Sequence, residues 1–264
     1  MKLIESKSGQ TLSRAINVLR VVASSQAGGM RLTDIAMATG LDKSTVHRIT
    51  KYLLHEGMLS KPQGKNSYRL GPLLFELGLC ALPKNNLTDL CYHDLHRLAE
   101  ETEDTAFLLQ RSGWDAVCVA RSEGTYPIKT LTSGIGDRHP MGIGAGGMAM
   151  LAALDDLQVN DVLNTIQNRL PHYGLNSEMI LSDIAVTRAQ GFACNNEVGA
   201  KEVVAVGVPL RGPSQQVVGG LFVASFGQRM NDNRIMELGH HLQEVGERLD
   251  NKLANDLGAS YMHD

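Results

Sequence analysis

Apolar residues recur at three- and four-residue spacing in three stretches near the N-terminus, and glycine follows each stretch. This period predicts three short helices, because glycine commonly ends a helix. Two strand-like pieces with a Pro-Gln-Gly turn between them come next, as in a β-hairpin. Three helices followed by a hairpin predict a winged helix-turn-helix. The first helix is expected to begin at Thr11 or Ser13 and to end at Gly28-Gly29. The second is expected to begin with Thr33 as N-cap and to end at Gly40, and the third to run from Asp42 to Glu56. The predicted strands are Met58–Lys61 and Ser67–Leu70.

Two further helices are predicted after Gly71-Pro72. The first places Leu73, Leu74, Leu77 and Ala81 on one stripe, and Pro83 breaks it. The second covers Leu90–Thr102, with Leu87 at its entry. Both helices would connect the winged helix to the rest of the chain.

From Thr105 onward, short apolar runs alternate with helical stretches, and neighbouring runs lie close enough to pair as hairpins. Strands mixed with helices in this way predict an α+β sheet domain. A helix from about Asn231 closes the chain, and its single apolar stripe could pack on the sheet or on another subunit. The predicted strands are Thr105–Gln110, Ala116–Arg121, Ile128–Leu131, Phe192–Asn195, Val203–Leu210 and Val217–Ser225, and the helices between them are Ala145–Ala153, Leu157–Gln167 and Ser177–Gln190.

Composition excludes several classes of protein. The chain has 264 residues, of which 43% are hydrophobic and 20% are charged, as in a globular protein with a real core. Its longest near-apolar run falls short of the roughly 18 residues that a membrane span needs, and its N-terminus lacks the apolar run of a signal peptide. The four cysteines are far apart and form no CxxC motif. We therefore expect a cytoplasmic protein without membrane contact, structural metal or cofactor.

The charge is divided unevenly along the chain. Residues 1–82 carry 11 Lys and Arg against 5 Asp and Glu, a net charge of +6, whereas residues 83–264 carry 14 against 23, a net charge of −9. A basic segment attached to an acidic body is expected when one part of a protein faces a polyanion. Chance variation in surface charge is the alternative reading.

The third predicted helix has two distinct faces. At 100° per residue, Val46, Ile49 and Leu53 share one face, and the polar and basic residues lie away from it. A helix in the DNA major groove needs this division, because one face anchors it while the other reaches base edges and phosphates. The alternative is an ordinary surface helix with a solvated polar face. The position of this helix within a basic winged-helix pattern favours DNA. The candidate DNA-binding residues are Arg31, Lys43, Ser44, Thr45, His47, Arg48, Lys51, Lys65 and Arg69.

A glycine-rich string, Gly142 to Gly147, fits the pattern GxGxxG and suggests a dinucleotide site at first sight. That fingerprint belongs after a strand in a βαβ unit, and here a second helix rather than a strand follows the first. We favour a different reading, in which the glycines let a small anion such as a carboxylate approach the start of a helix. Tight helix–sheet packing alone is the other reading. The residues in question are Gly144, Ala145, Gly146, Gly147 and Met148.

Catalysis finds little support in the sequence. Cys194 and Glu197 could be imagined as nucleophile and base, but no third group at suitable spacing orients them. Asp155-Asp156 is more typical of a helix cap or a solvated face than of a carboxylate pair. The histidine pairs His93/His96 and His240/His241 are typical of helix surfaces, because no second cluster of metal ligands accompanies them. We expect no enzyme activity.

Three groups of motifs resemble one known family. The N-terminal strings are TLSRAINVLRVVA, LTDIAMATGLDKSTVHRITKYLLHEGML and YRLG; the second landmark is GDRHPMGIGAGGMAMLA; and the third is QGFACNNEVGAKEVVAVGVPL followed by VVGGLFVAS. Together and in this order they resemble the IclR family of bacterial transcriptional regulators over nearly the whole chain. The resemblance implies a winged helix-turn-helix over residues 1–71, linker helices over 72–102 and a GAF-like α/β effector-binding domain over 103–264.

The resemblance also implies partners and an effector site. Members of the family dimerise, assemble further into tetramers on DNA, and bind palindromic operators. Their effector pockets use the helix start at Gly144–Met148 with inward positions of the last two strands, which fall here on Ala205, Phe222 and Ala224. Relatives often carry Cys or Ser at those positions. The apolar residues of this chain predict an organic acid with an apolar body, such as an aromatic ring. The alternative function is a metabolite-binding protein or an enzyme without DNA binding.

Overall fold

The structure is a computed structural model, and it describes residues 7–23, 29–62, 64, 66–81, 86–196 and 202–260. The chain divides into two compact units, Met1–Pro83 and Lys84–Asp264. Each unit has its own hydrophobic core. None of the described helices is long and apolar enough to cross a membrane.

The first unit is a winged helix-turn-helix, as predicted. Its three-stranded antiparallel sheet has the order β1-β3-β2, and the core between helices and sheet contains Val18, Ile35, Val46, Ile49 and Leu59. The elements are α1 Lys7–Ala23, β1 Met30–Arg31, α2 Leu32–Thr39, α3 Lys43–His55, β2 Leu59–Ser60, β3 Ser67–Leu70 and α4 Pro72–Ala81.

The predicted starts of the first two helices were wrong. The first helix begins at Lys7, ahead of Thr11 and Ser13, because a single glycine at position 9 weakens a helix without preventing it. Its last residue is Ala23, and Gly28 lies outside the described residues. The second helix begins at Leu32, so Thr33 is inside it and donates its hydroxyl to Asp34. The preceding Arg31 is extended because it belongs to β1, a strand that was not predicted.

The second unit is a six-stranded antiparallel sheet with helices on both faces. The strand order is β6-β5-β4-β9-β8-β7, and each described pair of neighbouring strands is antiparallel. A βαβ unit needs parallel strands, so the glycine-rich string does not belong to one. The elements are α5 Leu87–Thr102, β4 Thr105–Ser112, β5 Asp115–Ser122, β6 Arg138–Pro140, α6 Gly144–Ala152, α7 Asp156–Ile166, α8 Ser177–Gln190, β7 Ala193–Asn196, β8 Val203–Arg211, β9 Val217–Phe226 and α9 Asp232–Ser260, with single 3₁₀ turns at Leu170–Tyr173 and Gly227–Arg229.

Two cores cover the two faces of this sheet. On one face α6, α7 and α8 pack on residues such as Phe107 and Phe222. On the other face α5 and α9 pack on Leu108, Val206 and Val223. The apolar stripe of α9 is therefore buried against the sheet. The sequence left open whether this stripe packs on the sheet or on another subunit, and the structure favours the sheet. Because α5 belongs to this core and α4 to the first unit, the segment 72–102 divides between the units.

The predicted strand Ile128–Leu131 was wrong. Residues 123–137, which we call the strap, form an irregular connection between β5 and β6. Ile128 is 58% exposed and Leu131 is 53% exposed, whereas Thr130 between them is buried. The hydroxyl of Thr130 donates to the carbonyl oxygen of Ala224 at 2.6 Å, a tertiary bond that replaces strand pairing at this point.

Candidate DNA-binding surface and effector cavity

An aspartate cap fixes the start of α3. The carboxylate of Asp42 accepts the backbone N–H of Thr45 at 2.8 Å and the hydroxyl of Ser44 at 2.6 Å. These hydrogen bonds, that of Ser44 first, hold the pKa of Asp42 well below its usual range. The cap is therefore ionised at neutral pH and satisfies donors that the first turn leaves open. The predicted start at Asp42 corresponds to this N-cap position.

The two faces of α3 separate as the sequence predicted. Val46, Ile49 and Leu53 are buried in the core of the first unit, together with Thr50, whose hydroxyl donates to the carbonyl oxygen of His47. On the other side Lys43, Ser44, His47, Arg48 and Lys51 are exposed, and Thr45 is half-buried. The packed face holds the helix, so the exposed side chains project from a rigid support.

The cations of this surface differ in their partners. Arg31 forms an ion pair with Asp34 at 3.1 Å, although it is 73% exposed. Lys43, Arg48 and Lys51 form no ion pair with any described residue. Their positive charges are therefore available to an external anion, whereas that of Arg31 must first leave its carboxylate.

The structure describes one of the two wing cations that the sequence predicted. Arg69 is half-buried on β3, and its Nε is buried without a hydrogen-bond partner among the described residues. Lys65 lies outside the described residues. Tyr52, which is 68% exposed, was not predicted as a site residue, although on the helical wheel it lies beside Arg48. The sequence analysis selected polar and basic side chains of this helix and therefore did not include the aromatic Tyr52.

A small cavity of about 60 Å³ lies between α6 and the sheet of the second unit. Gly144, Gly146 and Gly147 form one wall at the start of α6. The helix follows β6 directly, and the N–H of Met141, just past β6, donates to the carbonyl oxygen of Trp114 at 3.0 Å. Ile143 is the N-cap of α6, and its apolar side chain forms no cap hydrogen bond.

The glycines also permit unusually close packing. A Cβ on Gly146 would lie 2.6 Å from Cδ1 of Leu109, and a Cβ on Gly207 of β8 would lie 2.9 Å from the backbone of Ala145. Gly144 has φ +68°, which favours glycine. Close packing therefore accounts for Gly146 and Gly207.

The apolar side of the cavity comes from the sheet. Leu109, Ala116 and Phe222 line it, and the ring of Phe222 stacks on that of Phe107 with 4.6 Å between centroids. Ala205 and Ala224 face the same core but do not line the cavity, and the same holds for Ala145 and Met148. Of the eight predicted effector residues, Gly144, Gly146, Gly147 and Phe222 therefore border the open space.

Three polar residues at the cavity were missed by the sequence analysis. Thr132 and Ser133 come from the strap and His139 from β6. The hydroxyl oxygen of Thr132 is buried and has no hydrogen-bond partner among the described residues, and Ser133 is buried. The string GDRHP contains His139, but nothing local in the sequence predicts that the strap folds over the cavity.

His139 is held in a mixed environment. Its Nδ1 lies 3.3 Å from the hydroxyl of Tyr173, and the rings meet edge to face. Burial lowers the pKa of His139, while Asp137 and Asp115 oppose that shift and Arg169 adds to it. The imidazole is therefore neutral at pH 7, and Nε2 is the ring nitrogen not engaged by Tyr173.

The residues considered for catalysis and metal binding have structural partners. Asp155 caps α7 through the N–H of Gln158, and Asp156 pairs with Arg188. Burial raises the pKa of the Cys194 thiol, which disfavours a thiolate nucleophile, and Glu197 lies outside the described residues. Among the described residues no group of three His, Cys, Asp or Glu side chains could hold a metal ion.

A winged helix with unpaired cations, joined in one chain to a sheet domain with a cavity, is the architecture of a DNA-binding protein that also holds a small ligand. Residues 11–62 match the IclR helix-turn-helix domain, and residues 80–251 match the family described as bacterial transcriptional regulator IclR, C-terminal. The chain therefore belongs to the IclR family of DNA-binding transcriptional regulators, which carry a C-terminal ligand-binding domain. It is a regulator rather than an enzyme, as its relatives are.

Individual relatives agree with this assignment. The HTH-type transcriptional regulator XynR of Escherichia coli K12 is 28% identical over 246 residues, which cover 92% of this chain and 97% of XynR. The crystal structure of a putative IclR regulator from Silicibacter sp. has a TM-score of 0.74 at 25% identity and covers 92% of this chain and 96% of its own. An IclR homologue of Microbacterium hydrocarbonoxydans, solved in complex with 4-hydroxybenzoate, has a TM-score of 0.69 at 19% identity and covers 92% and 98% of the two chains.

Proposed function

We propose that this regulator binds a palindromic operator through α3 and that a small carboxylate in the cavity beside α6 changes its operator affinity. The observation that carries the DNA half of the proposal is the set of unpaired cations on the exposed face of a well-anchored α3. A regulator of chromosomal DNA acts in the cytoplasm, which is the compartment that the sequence predicts.

Within this surface we assign different tasks to different cations. Arg48 lies centrally on α3 and can form two parallel hydrogen bonds to a guanine, so it reads sequence. Ser44, Thr45 and His47 read edges or hold phosphates, and Lys43 and Lys51 neutralise phosphates. Arg31, Lys65 and Arg69 extend the basic surface on the wing side. The ion pair of Arg31 with Asp34 makes its contribution the smallest of the exposed cations.

We propose that two copies pair through α4, because one recognition helix covers only a few base pairs. No described residue of α4 is buried in the first unit, and Phe75 is 70%, Leu77 50% and Leu79 56% exposed. Apolar surface of this kind is typical of an interface. In α1 of the same unit, Leu12 is 64% exposed. A homodimer, or a dimer of dimers on DNA, follows from this reading.

The carboxylate belongs at the first turn of α6. A helix N-terminus carries a partial positive charge, and the cavity is bordered at the start of α6 by Gly144, Gly146 and Gly147, where the backbone can come close to a ligand. The 4-hydroxybenzoate in the Microbacterium relative is a carboxylate too, which supports the class of ligand without fixing it. Occupation of the cavity and operator binding are then coupled, and the coupling is reciprocal.

The test is operator binding by the full chain as a function of salt. We expect the logarithm of the affinity for DNA flanking its own gene to fall linearly with the logarithm of salt concentration. Arg48→Ala should lower the affinity and relax sequence preference. Arg97→Ala is the matched control, since it removes one cation from α5 in the second unit. An Arg48→Ala variant indistinguishable from wild type, or binding that ignores salt, would refute the proposal.

A further inference from the structure

Tyr52 is a large aromatic side chain of α3 that lies outside the core of the first unit. It is 68% exposed, whereas Ile49 and Leu53 on the packed face of the helix are buried. Its carbonyl oxygen accepts the N–H of Glu56 at 2.9 Å, so its backbone is fixed in the last turn of α3. Its ring and hydroxyl form no hydrogen bond, aromatic contact or cation–π contact with any described residue. The ring is therefore available to an external partner.

The other two aromatic residues of the first unit have different surroundings. Tyr68 is only 7% exposed and packs in the core, and the ammonium of Lys61 lies 5.7 Å from the centroid of its ring. Phe75 is 70% exposed, but it belongs to the apolar surface of α4. A single exposed aromatic residue is ordinary on a protein surface. The position of Tyr52 on α3, and not its exposure alone, is therefore the basis of the inference.

Tyr52 follows Arg48 by four residues on the exposed side of α3. At 100° per residue, four residues complete one turn and about 40° more, so the two side chains project in similar directions. Four residues also advance the helix by about 6 Å, which is close to two base-pair steps of about 3.4 Å each. When α3 lies along the major groove, Tyr52 therefore faces a base pair about two steps from the one that Arg48 reads.

The chemistry of Tyr52 differs from that of its neighbours on the exposed side of α3. Those neighbours all carry a hydrogen-bonding group or a positive charge: Lys43, Ser44, His47, Arg48, Lys51 and His55. Such groups suit phosphates and the polar edges of bases. Among the described side chains of α3, only that of Tyr52 is large, apolar and exposed. The apolar group that a base pair presents in the major groove is the thymine methyl, and proteins read it by apolar contact.

We propose that the ring of Tyr52 contacts the methyl group of a thymine in each half of the operator. Tyr52 then determines sequence preference at a position about two base pairs from the guanine read by Arg48. This inference rests on the proposed function, because it takes α3 as the helix that enters the major groove. The contact needs the ring of Tyr52 and does not need its hydroxyl.

DNA in which deoxyuridine replaces thymidine tests the contact, because uracil pairs as thymine does and lacks only the methyl group. The DNA flanking the gene of this regulator is amplified in both forms, and the affinity of the full chain for each is measured by fluorescence anisotropy. Burial of one methyl group changes affinity about fourfold. Two half-sites therefore predict that the thymine form binds about tenfold more tightly than the uracil form.

Three variants separate the contact of Tyr52 from every other effect of the missing methyl groups. Tyr52→Ala should lose this tenfold preference, because contributions from other residues are the same in variant and wild type. Tyr52→Phe should keep the preference, since it keeps the ring. Tyr92→Ala is the matched control, because Tyr92 is a tyrosine of similar exposure, 60%, on α5 of the second unit. It should change neither affinity nor preference.

Folding of the variants is not in question. Tyr52 is exposed, and alanine has a higher helix propensity than tyrosine, so Tyr52→Ala should not lower Tm. An equal preference for thymine in wild type and Tyr52→Ala would overturn the inference. A Tyr52→Phe variant that behaves like Tyr52→Ala would overturn it as well, because the hydroxyl and a phosphate would then account for the effect.

Failure of this inference can be told apart from failure of the proposed function. If DNA binding depends on salt and on Arg48, and Tyr52→Ala keeps the thymine preference, the regulator assignment stands and the thymine contact is refuted. If Tyr52→Ala loses the preference but Arg48→Ala binds as wild type does, the contact stands and the task assigned to Arg48 is wrong. If the chain binds neither form of the DNA at low salt, both fail.

Discussion

The DNA surface and the effector cavity are built on opposite principles. The DNA surface is one helix, and its charged side chains point away from the core that holds it. The cavity is assembled from β4, β5, β6, β9, α6 and the strap, and its polar residues are buried or half-buried beside apolar ones. A local surface can be read from helical periodicity. A cavity of this kind depends on how distant segments of the chain pack together. A change in packing far along the chain can therefore displace any of its residues.

We expect the largest effect from a substitution that disrupts the cavity and leaves the DNA surface intact. In Gly207→Ala the new Cβ would lie 2.9 Å from the backbone of Ala145, which cannot rotate away. We expect a loss of about 3 kcal/mol from the second unit and no ligand binding, measured by urea unfolding and calorimetry. Gly78→Ala in α4 is the control, because nothing lies within 4 Å of its Cβ and the change should slightly stabilise the helix. Equal stabilities of the two variants would contradict the close packing of α6.

We expect the second-largest effect from substitutions in the DNA surface. Arg48→Ala should cost about 2 kcal/mol of operator binding, or roughly thirtyfold in affinity, and should relax base preference at one position of each half-site. Lys65→Ala should weaken all DNA about equally and reduce the salt dependence by about one unit. Fluorescence anisotropy with operator and scrambled duplexes measures both. Unaltered affinity of Arg48→Ala for a carboxylate probe such as 4-hydroxybenzoate would show that the two regions fail independently.

A smaller effect concerns the cap of α3. Asp42→Asn keeps an oxygen acceptor for the N–H of Thr45 and removes a negative charge from the DNA side. We expect DNA affinity to rise a few-fold at low salt and the gain to shrink as salt screens it. Asp42→Ala also removes the charge but loses the cap, so its helix should be less stable in thermal unfolding. Weaker DNA binding by Asp42→Asn would show that the carboxylate itself is needed for recognition.

The smallest expected effect is on the pH dependence of the unfolding free energy, which tests the burial of His139 at the cavity. Burial lowers the pKa of His139 below the value of about 6.5 expected in the unfolded chain, so below pH 6.5 the unfolded chain binds more protons than the folded one. Stability should therefore fall as pH drops below 6.5. The difference in unfolding free energy between wild type and His139→Leu should shift in favour of the variant from pH 7 to pH 5, measured by urea titration. A constant difference would mean that His139 titrates normally.

Much of the fold follows from local patterns. The helix α8 was predicted at Ser177–Gln190, and α3 was predicted within one residue at each end, because apolar period and capping residues define them. The strap was misread as a strand, since the apolar residues Ile128 and Leu131 stay exposed and a tertiary bond from Thr130 determines the course of the chain.

The candidate sites divide in the same way. The α3 residues were identified from the sequence because charge and periodicity coincide in one helix. Gly144, Gly146 and Gly147 were identified from a glycine-rich string, and their place at the cavity follows from the start of α6. Thr132, Ser133 and His139 carried no local signal, because their common environment exists only after the strap crosses to β9 and β6 pairs with β5.

Trp114, in the turn between β4 and β5, is the single tryptophan of the chain. Its carbonyl oxygen is hydrogen bonded to Met141, two residues before the N-cap of α6, and its side chain is 38% exposed. Tryptophan emission of the native protein therefore comes from the second unit and not from the first. Because Ala116, two residues after Trp114, lines the cavity, we expect ligand binding to change this emission, and the change can be recorded with or without nucleic acid.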